Sequence, residues 1–230
     1  MENFDFDTAI SCIIFDCEGT LVDSEILSQQ ALVNTFAHFG ETLSLDECVE
    51  HFQGGKITDV LLQTCERKNV SFPIDKLELR YRKECDKLFS KHLKPMEGVT
   101  ELLDHLYQIG LDVCVASNGP IDRMYASLEV TDLLPYFEGR LFSAYETNNW
   151  KPAPDVLRYA AMNMATPKEH CLFIDDTLSG IKAGINAGMR TLHFNNTGRK
   201  TISHPLIKTV TSMKKVAKAI NRMPVASNWH

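Results

Sequence analysis

The chain has 230 residues, 44% of them hydrophobic, and a formal net charge of −6. That supports one α/β core with a modest insertion, and it supplies no basic surface to hold a nucleic-acid backbone. No segment approaches a membrane span, and Met1 to Asp7 lacks the basic flank and apolar stretch of a signal peptide. Seven cysteines, at 12, 17, 48, 65, 85, 114 and 171, form no Cys-x-x-Cys pair, and the eight histidines show no His-x-x-x-His spacing. This argues against a disulfide framework or a zinc site and for a reducing cytosol.

In chain order, the apolar run Cys12 to Phe15 ends at Asp16 and a Gly19-Thr20 turn, so it reads as a buried parallel strand. From Ser24 to about Lys94 the strand signal stops. Ile26 to Phe39, Leu45 to Phe52, Ile57 to Lys68 and Asp75 to His92 read as amphipathic helices, too many for one crossover. They form a helical insertion between the first strand and the second. Pro95 and Gly98 mark the return, and strands and helices then alternate. The expected strands are Leu111 to Ala116, Leu141-Phe142, Cys171 to Ile174 and Leu192 to Phe194. The expected helices are Val99 to Ile109, Ile121 to Leu128, Pro154 to Met164 and Ser179 to Ala187. Such alternation predicts a Rossmann-like parallel sheet with right-handed crossovers, with residues 1–23 and 94–230 as the α/β core and 24–93 as an inserted α-helical cap. The stretch after Met223 has no periodicity.

Four strand ends or turns carry polar groups that a parallel sheet would bring to one edge, where ligands of open α/β sheets bind. Asp16 can attack phosphorus, and Glu18, two residues on and back on the same side of an extended backbone, can protonate a leaving oxygen. Ser117 and Asn118, before Gly119, offer hydrogen bonds to phosphate oxygens. Lys151, in a loop fixed by Pro152 and Pro154, supplies positive charge for two anions that must meet. Asp175 and Asp176 are costly side by side unless a cation shares them, and Mg²⁺ answers to that donor set. Taken singly, each has a plainer role as turn, helix cap or solvated side chain. Taken in this order, each after its own strand, they point to phosphoryl chemistry. Cys17, facing away from the acids, reads as a core residue, and Trp150 as packing against the sheet edge, with lining the pocket as its alternative role.

The order of acid pair, Ser, Lys and paired acids resembles the four motifs of the haloacid dehalogenase superfamily. The likeness extends through Asp175-Asp176-Thr177-Leu178-Ser179-Gly180 and Ala183-Gly184-Ile185-Asn186-Ala187-Gly188. The insertion's position resembles the helical-cap branch that includes β-phosphoglucomutase. The resemblance implies that Asp16 is a nucleophile forming an aspartyl-phosphate, Glu18 the acid and base, and Ser117 and Asn118 the phosphate grip, with Lys151 neutralising the phosphoryl group. It implies Mg²⁺ on Asp16, the backbone carbonyl of Glu18 and Asp176, with Asp175 close by. Phe52-Gln53-Gly54-Gly55-Lys56 resembles the branch's substrate-specificity loop, with Lys56 able to meet a sugar acid or a second anion.

The family usually has Asp where this chain has Glu18. An acid there still favours a phosphate ester over a halide, because an alkoxide leaves with a proton. The expected activity is therefore a cytosolic, monomeric phosphatase for a small phosphorylated metabolite, a sugar or sugar-acid phosphate. Ser28 at the position of the mutase branch's cap histidine favours hydrolysis. A sugar phosphomutase, or a non-catalytic phosphate- or metal-binding relative in which Glu18 misplaces the proton, are the alternatives.

Overall fold

The computed structural model describes residues 4–51 and 56–226. Its centre is a six-stranded, all-parallel sheet: β1 (Cys12–Phe15), β2 (Asp112–Ser117), β3 (Leu141–Ser143), β4 (Cys171–Asp175), β5 (Arg190–Phe194) and β6 (Ile207–Val210), in the order β3-β2-β1-β4-β5-β6. The first strand is thus near the middle, flanked by the second and the fourth. In register, Phe15 pairs with Val115 and with Ile174. Asp16, Ser117 and Asp175 therefore leave neighbouring strands at the same carboxyl edge.

The strands read as unbroken apolar runs because both sheet faces are covered. Ile13, Phe15, Val115, Leu172 and Ile174 face one core, shared with α5 (Val99–Gln108), α6 (Ile121–Val130), the short α7 (Leu134–Phe137) and α11 (Met213–Ile220). Cys12, Ile14, Cys114, Cys171 and Phe173 face the other, under α9 (Asp155–Asn163) and α10 (Leu178–Ala187). Cys17 is buried in the first core, and all seven cysteines are free and buried. A further short helix, α8 (Ala144–Thr147), starts at Ser143, whose hydroxyl accepts from the Tyr145 N–H while Glu146 accepts from the Ser143 N–H.

Between β1 and α5 the chain makes α1 (Glu25–His38), α2 (Leu45–His51), α3 (Ile57–Lys68) and α4 (Ile74–His92), close to the predicted spans. Outgoing and returning segments run side by side: the Asp23 N–H donates to the Lys94 carbonyl and the Met96 N–H to the Leu21 carbonyl, both at 2.9 Å. Of the predicted specificity loop, Phe52 to Gly55 lie outside the described residues. The sequence expectation lacks the four-residue helices α7 and α8 as well as β6 and α11. Strand β6 and helix α11 fill a region the pattern left unassigned, because β6 is an edge strand that mixes Lys208 and Thr209 with its apolar residues. Among the described residues no helix is long and apolar enough to cross a membrane.

The small residues of α10 let it lie against β4 and β5. A Cβ added to Gly184 would fall 2.1 Å from the Thr191 hydroxyl oxygen, and one on Gly180 would fall 1.9 Å from an Asp175 carboxylate oxygen. Thr191 is itself tied to the Met189 carbonyl at 3.0 Å, so it has little room to give. Gly184→Ala is expected to lower the melting temperature: overpacking costs about 1–3 kcal/mol, more than the roughly 1 kcal/mol that alanine gains over glycine in a helix. Thermal unfolding checks this, and an unchanged or raised melting temperature would contradict the close approach.

Candidate active site

The carboxyl edge of β1, β2 and β4 opens into a cleft walled by the helical insertion and open to solvent. Asp16 lies at its floor, held by its own N–H to the Ile174 carbonyl at 2.9 Å. Lys151 reaches it from the loop between α8 and α9. The ammonium donates to Asp16 Oδ1 at 2.6 Å and to Asp175 Oδ2 at 2.8 Å, and all three residues are buried. The loop is aimed by Asn118, whose Oδ1 accepts from the Lys151 N–H at 2.8 Å. A residue predicted to grip phosphate thus also places the lysine.

Asp175 uses its second oxygen to hold Thr177, the residue that caps α10, accepting from its N–H and hydroxyl, each at 2.7 Å. Asp176 accepts from the Thr20 hydroxyl at 3.1 Å and lies 3.5 Å from Arg199, which also pairs with Glu25. Ser117 accepts from the Gly119 N–H at 3.2 Å, and Ser143 fixes the same turn by donating to the Gly119 carbonyl at 2.7 Å. The acid of residue 18 is half-buried and paired with Arg123.

Burial pushes the Asp16 carboxyl up to about 7, against the pull of Lys151 and with the help of Asp175. Burial, then Asp175 and Asp16, hold Asp176 well above the usual carboxylate range. Burial alone would lower Lys151, but Asp16 and Asp175 outweigh it and keep the ammonium protonated. Asp16, Asp175 and Asp176 each bring an oxygen to within 4.8 Å of the others. Three buried carboxylates facing Lys151 and an Arg199 that is shared with Glu25 leave negative charge uncompensated, and an all-oxygen set of this kind fits a hard divalent cation.

The structure therefore brings together Asp16, Glu18, Ser117, Asn118, Lys151, Asp175 and Asp176 around one cleft. Lys56 is not part of the lining; its ammonium lies 4.3 Å from the ring centroid of Trp150, which is. Trp150 fills both roles expected of it: it packs on the second core and lines the cleft, 5.2 Å from the Tyr145 ring. Sequence reasoning missed Arg123, Arg199, Glu25, Tyr81 and Arg82, all lining the cleft. They reach it from helix faces or a loop rather than from strand ends, and nothing in their local sequence sets them apart from surface charges.

The comparisons agree with the geometry. A family model described as haloacid dehalogenase-like hydrolase matches residues 13–194. The chain is 36% identical to the 6-phosphogluconate phosphatase of Escherichia coli strain K12 over 208 residues, covering 90% of this chain and 93% of that one. It is 23% identical to a phosphorylated carbohydrates phosphatase of Thermotoga maritima, covering 80% and 84%. Among solved structures, a haloacid dehalogenase-like protein from Agrobacterium tumefaciens superposes with a TM-score of 0.77 at 26% identity, covering 93% and 98%. CbbY from Rhodobacter sphaeroides in complex with phosphate gives 0.81 at 19% identity, covering 92% and 99%, a likeness of fold.

Asp16 and Asp176 bind protons more tightly in the folded state than in the unfolded one. Without a cation, folded stability therefore falls as pH rises from near the ordinary value of 3.8 through about 7 for Asp16. A divalent cation takes the place of those protons. Its addition is expected to raise the melting temperature more at about pH 8 than at about pH 5. An equal shift at both, or none, would contradict a cation site on these carboxylates.

Proposed function

The chain belongs to the haloacid dehalogenase-like hydrolase family, and from that premise we propose that it is a Mg²⁺-dependent phosphatase for a small sugar or sugar-acid phosphate. In this reading residues 24–93 act as a cap over a core of residues 1–23 and 94–230, and the protein works as a cytosolic monomer. The observation that carries it is the Asp16–Lys151–Asp175 array at the strand edge, with Asp176 beside it.

Asp16 attacks phosphorus, the bond from phosphorus to the ester oxygen breaks, and Glu18 gives that oxygen a proton. Water then attacks the aspartyl-phosphate, Glu18 takes a proton back, and Asp16 and inorganic phosphate separate. Lys151 holds positive charge against the nucleophile throughout, so that two anions can approach. Ser117 and Asn118 meet the phosphoryl oxygens. Mg²⁺, held by Asp16, Asp176 and the backbone carbonyl of Glu18 with Asp175 behind them, would neutralise the remaining phosphate charge.

The insertion supports a small polar substrate. Arg82 and Tyr81 of α4 line the cleft, Arg82 donating to the Tyr145 hydroxyl at 2.8 Å, and Lys56 stands nearby. These cations suit a sugar acid's second anionic group. The Ser28 hydroxyl, buried in the same lining and unpartnered among the described residues, supplies no strong base for a sugar hydroxyl, which favours water as acceptor.

Phosphate release from a panel of phosphosugars, phosphosugar acids and an aryl phosphate tests the reading, with Mg²⁺ and with chelator. Asp16→Asn is expected to lower release by roughly a thousandfold or more, and chelation to abolish it reversibly. Release that survives either treatment would overturn the assignment. Conversion of one sugar phosphate to another without free phosphate would point to the mutase.

A further inference from the structure

We propose that Arg123 is the positioning residue for Glu18, holding the longer acid where it exchanges protons. The inference rests on the reading of Glu18 as the acid and base. Arg123 Nη2 donates to Glu18 Oε2 at 3.2 Å, and Nε lies 2.8 Å from Oε1 as an ion-pair contact that is not aligned as a hydrogen bond, so the guanidinium fork lies against both carboxylate oxygens.

The fork is itself immobilised. Arg123 is in the first turn of α6, directly after the Ser117–Pro120 turn, so the acid's anchor and the phosphate grip share one piece of chain. The side chain is 13% exposed, and its guanidinium carbon lies 4.9 Å from the Phe89 ring centroid and 5.8 Å from that of Tyr81. Both rings belong to α4, so the insertion clamps the arginine from above. Glu18 remains 31% exposed toward the cleft, and a Cβ added to Gly119 would come 3.9 Å from its Oε1. The carboxylate thus lies between its anchor and the phosphate turn.

A free glutamate has one more rotatable bond than aspartate, and errors of about 1 Å in a reacting group can cost roughly a hundredfold in rate. The fork removes that freedom. When Glu18 carries a proton, one oxygen still accepts from Arg123 while the other donates to the leaving group, so the anchor serves both halves of the cycle. An aspartate at position 18 is shorter by one carbon–carbon bond and draws its carboxylate back from the Nη2 hydrogen bond and the Nε contact. Glu18→Asp, although it restores the family's usual residue, is therefore a loss in this chain.

The test compares first-turnover release from an alkyl sugar phosphate and from 2,4-dinitrophenyl phosphate, whose leaving group needs no proton. The parent, Glu18→Gln, Glu18→Asp, Arg123→Lys and the Glu18→Asp/Arg123→Lys double variant are assayed, with KM and melting temperature for each. All variants are expected to slow the alkyl ester by about 10- to 100-fold at nearly unchanged KM and to spare the activated ester within about threefold. The double variant is expected to be no slower than the slower single one. If Glu18→Gln slows only the alkyl ester while Arg123→Lys matches the parent or slows both esters equally, Arg123 is not a positioning residue and the phosphatase reading stands. Glu18→Asp at or above the parent's rate overturns the inference as well, and decides the matter should Arg123→Lys fail to fold. Glu18→Gln at the parent's rate on the alkyl ester overturns the reading of Glu18 and the inference with it.

Discussion

The buried ammonium of Lys151, shared between Asp16 and Asp175, is the contact on which the rest of the edge depends. Two carboxylates at the ends of adjacent strands, both removed from water, would repel each other and resist ionisation. The lysine lets them face one cleft. To put it there the chain commits Asn118 to the lysine's backbone, two prolines to its loop and Thr177 to the remaining oxygen of Asp175. The close approach of α10 belongs to the same solution, since Asp175 occupies the space that a side chain at position 180 would need. Lys151 and Arg199, the latter shared with Glu25, do not balance Asp16, Asp175 and Asp176 together. Burial first, with the repulsion of Asp175 added to it, raises the carboxyls of Asp16 and Asp176.

The sheet was legible in the sequence because its central strands are buried on both faces and so appear as uninterrupted apolar runs with a polar residue at the exit. Cys12–Phe15 is found as predicted, and Cys171–Asp175 differs by one residue. The edge strand Ile207–Val210 was not legible, since only its last residue is buried and Lys208 and Thr209 interrupt the run. Helix Met213–Ile220 buries Met213, Val216, Ala219 and Ile220 at helical spacing, a signal present in the sequence but only two turns long.

Among the predicted site residues, Asp16, Glu18, Ser117, Asn118, Asp175 and Asp176 leave strand ends or the turns beyond them, whose direction the parallel topology fixes. Arg123 and Arg199 were invisible for the opposite reason. Each is a charged residue among polar neighbours, and only the packing of α6 under Tyr81 and Phe89, or the course of the loop after β5, turns it inward. Trp150 shows a related limit: the sequence suggests packing or pocket lining as alternatives, and one indole serves both the core and the cleft. The insertion meets the core through such side chains, with Lys56 on Trp150, Arg82 on Tyr145 and Arg123 beneath Phe89. These contacts shield a cleft whose floor is charged, and electrostatic attraction inside it is stronger than in open water.

The proposed chemistry turns on whether Asp16 carries the phosphoryl group. Acid quench during the first turnover of an activated aryl phosphate, followed by peptide mass analysis, reads this directly. The account predicts a phosphoryl group on the peptide containing Asp16, formed as the aryl alcohol is released and absent in Asp16→Asn. Release of the alcohol in the first turnover with no phosphoryl group on the protein, or with it on another residue, would contradict the account.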